Sequence, residues 1–90
     1  MGTAPQIPFS GIITGAVWEE DLGLPMEFVN LVLFRERDST MITGTVTDLE
    51  GNFRLTELPY GKFYLVVNFI GYNKKILSGI MITQIPGRDR

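Results

Sequence analysis

Nowhere in this chain do apolar residues recur at helical spacing for about ten positions without a glycine or proline close by. Short strand-like runs fall between turn signals instead, and this punctuation constrains the fold more than any single motif. The strongest run is "KFYLVVNF", Lys62 to Phe69. Phe63, Leu65, Val67 and Phe69 share one face of an extended segment, and Tyr64, Val66 and Asn68 share the other. Further strands are expected at Ile12 to Trp18, with Ile13 and Val17 on one face, and at Phe28 to Phe34. In the latter, Asn30 points out while Val29, Leu31 and Leu33 point in. Met41 to Thr47, Asn52 to Leu55, Asn73 to Leu77 and Ile80 to Thr83 complete the set, with Ser78-Gly79 read as a hairpin turn. Seven short strands with no helix between them imply antiparallel sheets packed face to face around a shared core, because a two-stranded ribbon alone is unstable.

Composition narrows the function. The 90 residues suffice for one domain with a modest core, and 44% are hydrophobic, which excludes a disordered tail. The chain contains no cysteine and no histidine. Disulfides, thiolate zinc sites and a serine-histidine-aspartate triad are therefore excluded. Net charge is -2, and the basic residues are scattered apart from Lys74-Lys75 and the Arg35/Arg37 pair, so no nucleic-acid partner is expected. No apolar run reaches the roughly 18 residues of a membrane helix, and eight barrel strands of about 10 residues would leave nothing for turns. The domain is thus expected not to insert in a membrane itself. Residues 1–11 read as a flexible lead with no signal-peptide pattern, in which Met1-Gly2 looks like an added start. Residues 12–84 read as the sandwich and 85–90 as a flexible tail.

Three clusters could carry chemistry. In "TDLEGNF", Asp48, Glu50 and Asn52 alternate around Gly51 as oxygen ligands do in a calcium loop. Position 12 counted from Asp48 is Pro59, which offers no side-chain ligand, and strands rather than helices flank the stretch. A tight turn requires less: Asp48 accepts hydrogen bonds from the turn's amides, Gly51 supplies a positive φ, and Phe53 re-enters the core. Glu19-Glu20-Asp21 reads as a solvated connection, since adjacent acids on an extended segment point to opposite faces. Ser78 near Lys74 and Lys75 raises a nucleophile pair in principle, without a strained elbow or an oxyanion pocket to support it. No catalytic residue, cofactor or metal is expected. The aromatic residues Tyr60, Tyr64 and Tyr72, with Trp18, are the better candidates for contacting a partner, either as stacking platforms or as rim tyrosines with wet hydroxyls.

The order of the pieces carries a resemblance. Gly15-x-Val17 is followed by Leu24-Pro25, then Val29-Asn30-Leu31-Val32-Leu33 and Thr47-Asp48-x-x-Gly51-x-Phe53. Leu58-Pro59-x-Gly61-x-Phe63-x-Leu65 and Phe69-Ile70-Gly71-Tyr72 close the series. From Ile12 to about Thr83 the chain resembles the carboxypeptidase regulatory-like domain, a transthyretin-like sandwich. Phe63 stands where that family usually has tyrosine, which loses a hydroxyl but keeps the ring. The resemblance implies an all-β, seven-stranded, Greek-key β-sandwich without catalytic or metal residues.

"VNFIGY" and "FVNLVLFRERDST" are similar to the N-terminal extension of TonB-dependent outer-membrane receptors of Bacteroidetes-type bacteria. That resemblance implies a periplasmic accessory module in nutrient uptake, with glycans the foremost cargo, ahead of a plug and barrel that this chain does not contain. Its partners would be those domains or other periplasmic proteins. A spacer domain of a surface or secreted protein, and the regulatory sandwich of a metallocarboxypeptidase, are the alternatives.

Overall fold

The computed structural model describes residues 11–83. The expected lead and tail lie outside these residues, except for Gly11, which opens the first strand. Six strands and no helix are present among the described residues: β1 (Gly11–Ala16), β2 (Asn30–Arg35), β3 (Met41–Val46), β4 (Asn52–Leu58), β5 (Gly61–Asn68) and β6 (Lys75–Ile82). β1 and β4 form one antiparallel sheet, and the second runs β3-β2-β5-β6. β2 to β5 follow a Greek-key course: β2 and β3 make a hairpin, β4 turns across to the other sheet, and β5 returns beside β2.

The two sheets close on a single core. Leu31 and Leu33 from β2, Phe63 and Leu65 from β5, and Leu55 and Leu58 from β4 are all buried. Val29 is buried and Asn30 exposed, as the period of two requires. Leu55 and Leu58, however, lie three residues apart and both point inward, which a regular strand does not allow. β4 resolves this with a bulge: Gly11 pairs with Leu58 and Ile13 with Leu55, so an extra residue enters on β4. Glu57, at φ 58°, absorbs the irregularity in the left-handed region.

The same device corrects the expected strand count. Ser78-Gly79 is not a hairpin turn, and the two strands predicted around it are one strand, β6. Phe63 pairs with Ile80 and Leu65 with Leu77, so β6 carries the extra residue and stays beside β5 throughout. Gly79 takes φ 78°, the conformation a bulge glycine supplies. The sandwich therefore has six described strands rather than seven.

The strand directions sort the connections to two poles. The turns between β2 and β3 and between β4 and β5 lie at one pole, together with both ends of the described chain. Gly11 sits so close to Ile82 that any side chain there would collide with it. The connections 17–29, 47–51 and 69–74 lie at the far pole. At the chain-end pole, hydrogen bonds from the side chain and amide of Thr40, helped by Arg35 and Arg37, hold the exposed Asp38 carboxyl below its usual range.

Gly79→Ala isolates the bulge, because no atom lies within 4 Å of an added Cβ. Only backbone strain remains, so denaturant unfolding should show a loss of about 1–2 kcal/mol. A neutral result would mean that Gly79 does not hold this conformation.

A candidate docking surface at the far pole

The three tyrosines expected to meet a partner do not meet one another. Tyr60 lies in the turn between β4 and β5 at the chain-end pole, near Arg35, Arg37 and Lys62. Partial desolvation raises its phenol above the usual value. Tyr64 sits on the outer face of β5, stacked on Phe34 with ring centroids 5.2 Å apart, and its hydroxyl bonds to Ser39 Oγ at 3.0 Å. Tyr72 lies at the far pole, with its ring 5.6 Å from that of Phe69. β5 runs from one pole to the other, so residues close in sequence become distant in space.

Tyr72 instead faces a cleft of about 710 Å³ between the β1–β2 and β5–β6 connections. Val17, Trp18 and Phe69 supply apolar surface. Glu19, Glu20 and Asp21 lie along one connection, and Lys74 and Lys75 along the other. The acidic run therefore has a definite place as one wall of a cleft. One of its carboxylates also serves the loop: Glu19 Oε1 accepts the Leu22 amide at 2.6 Å. Around the cleft, the far-pole connections expose Leu22 (72%), Phe28, Leu49 and Ile70 (94%). Ser78 lies in the β6 bulge, three residues along the chain from Lys75 and four from Lys74.

"TDLEGNF" forms the foundation of this pole. Asp48 Oδ1 accepts the amides of Glu50 (3.0 Å) and Asn52 (2.9 Å), and the Gly51 amide bonds to the Asp48 carbonyl at 2.9 Å. Gly51 has φ 79° and is buried against the β1–β2 connection. A Cβ on it would come within 2.6 Å of the Val17 carbonyl oxygen. Val17 in turn donates to the Gly51 carbonyl at 2.8 Å and accepts from the Met26 amide at 3.0 Å. Among the described residues, no group of three or more acidic side chains is placed to hold a metal.

Thr47 is the residue that sequence reasoning missed. It is the one buried polar residue among those described. Its hydroxyl accepts the Val29 amide at 2.9 Å and donates to the Met26 carbonyl at 2.6 Å. Its own amide and carbonyl pair with Val29 and Phe28. One side chain thus ties the end of β3 to the start of β2. The exposed Phe28 is held there at φ 66°, a costly conformation for a bulky residue, by the bonds on either side of it. A threonine at a strand end carries no signal of burial, and its partners lie 18 and 21 residues away.

Thr47→Val preserves shape but leaves a donor and an acceptor unpaired, so unfolding free energy should fall by about 1–3 kcal/mol, with Thr47→Ser recovering most of it. Gly51→Ala should cost more than the roughly 1–2 kcal/mol of left-handed strain alone, because the Val17 carbonyl must also move. Equal losses for Gly51→Ala and Gly79→Ala would contradict that packing.

Comparison with known proteins agrees with this architecture. The family model for the CarboxypepD_reg-like domain matches residues 13–80. Neither curated proteins nor solved structures give a match. The matched span runs from β1 into β6, past the Thr47 knot and through the whole core. On that match, the chain belongs to the carboxypeptidase regulatory-like domain family.

Proposed function

We propose that this domain is a non-catalytic accessory module of a TonB-dependent outer-membrane receptor, lying on the periplasmic face and docking neighbouring domains or proteins during nutrient uptake. The carrying observation is the separation of the poles. Both ends of the described chain leave together beside Gly11 and Ile82, while the cleft and the four most exposed apolar side chains, Ile70, Leu22, Leu49 and Phe28, sit at the opposite end. A module tethered at one pole presents the other to a partner. Family membership supports a regulatory sandwich of this kind, and the likeness of "VNFIGY" and "FVNLVLFRERDST" to receptor extensions supports the context. A glycan is the foremost cargo, selected by parts of the receptor outside this domain.

A protease-protection assay on cells carrying the full-length parent protein tests this assignment. An antibody to the domain should find it in the outer-membrane fraction, intact when protease is added to whole cells and digested once the outer membrane is permeabilised. Digestion in whole cells would favour the surface-spacer alternative and overturn the periplasmic assignment.

A further inference from the structure

The outer face of the four-stranded sheet departs from what a solvated sheet requires. An antiparallel sheet with one wet face alternates apolar residues inward with polar residues outward. β2 and β5 are apolar on both faces. Val32 and Phe34 lie opposite the buried Leu31 and Leu33, and Tyr64 and Val66 lie opposite the buried Phe63 and Leu65. The register extends this surface sideways. Val32 pairs with Gly44 on one side and Val66 on the other, Val66 pairs with Ile76, and Phe34 pairs with Met41 and Tyr64. Met41 is 60% exposed and Ile76 58%. Because the Tyr64 hydroxyl is already bonded to Ser39, that residue presents its ring rather than a polar tip.

Charge is confined to one margin. Asn30 and Asn68 pair at the far-pole end, while Lys62 and the charged turn from Glu36 to Asp38, next to the Ser39 that bonds Tyr64, flank the chain-end margin. No carboxylate lies on this face of the four strands. Such a surface has little to attract a charged partner and little to repel its own copy, as an isologous two-fold contact requires. Strand spacing of about 4.8 Å and a rise of about 3.3 Å per residue give it a plan of roughly 400 Å², the size of a functional patch. Two such faces together remove on the order of 1,000 Å² of accessible surface, at the lower bound for a specific interface.

We propose that this face, centred on Val32, Phe34, Tyr64 and Val66, is the contact surface for a second copy of the domain in a weak two-fold dimer. The proposal stands apart from the receptor assignment, and its surface meets the far-pole cleft only at Ile76, on the edge strand β6.

Sedimentation equilibrium of the 90-residue chain tests it. Between about 10 µM and 1 mM, the range for an interface of this size, the weight-average mass should rise towards twice the monomer value. Val66→Arg and Val32→Lys should each abolish the rise while leaving circular dichroism and melting cooperativity unchanged, since both side chains lie outside the core. Leu22→Arg at the far pole should leave the rise intact. A wild-type chain monomeric at about 1 mM would overturn the proposal. Dimers that survive both face variants, or that Leu22→Arg disrupts, would place the contact elsewhere and overturn it equally.

Discussion

The hydroxyl of Thr47 holds the far pole together. Two sheets pressed face to face bury their apolar residues readily, but the connections between them must also dispose of backbone groups that the ladders leave over. At the far pole, the thirteen-residue span between β1 and β2 has no regular structure beyond an isolated bridge from Trp18 to Pro25. Thr47 satisfies an amide and a carbonyl of that span with one oxygen, and Gly51 docks its backbone against Val17 a few residues later. Among the described residues no buried side-chain nitrogen or oxygen lacks a partner. The knot fixes the 26–29 end of the span, including the exposed Phe28, while the Gly51–Val17 and Met26–Val17 bonds fix the end that carries the acidic wall.

The core was legible where alternation was undisturbed. Val29, Leu31 and Leu33 point inward, and so do Phe63, Leu65 and Val67, because a period of two leaves no other arrangement with one dry face. The Asp48 turn could also be read, since an aspartate three residues before a glycine has few other uses between strands. Ser78-Gly79 could not. A glycine at positive φ serves a hairpin turn and a bulge equally, and only the continuation of β5 alongside decides between them. Leu55 and Leu58 hide their bulge in the same way, behind a glutamate whose backbone conformation no residue type announces.

The candidate site was legible in its parts and not in its assembly. Trp18, Tyr72 and the run from Glu19 to Asp21 each stood out as aromatic or charged, yet they lie on connections more than fifty residues apart and meet only because β1 and β5 end at the same pole. Tyr60, Tyr64 and Tyr72 lie close in sequence, but β5 carries Tyr64 on its outer face and leaves Tyr60 and Tyr72 at opposite poles. The polar stretch that most resembles a ligand loop uses Asp48 Oδ1 to close its own turn and its backbone to hold the neighbouring connection. Its sequence reflects what the fold needs at that corner.

Native-state amide hydrogen exchange tests most directly whether this pole is built as part of the core rather than draped over it. The amides of Val17, Met26, Val29 and Thr47 should exchange as slowly as those of Leu33 and Leu65, opening only with global unfolding. Exchange of the first group orders of magnitude faster than the second would show that the connections open on their own, and that the Thr47 knot does not position the far pole.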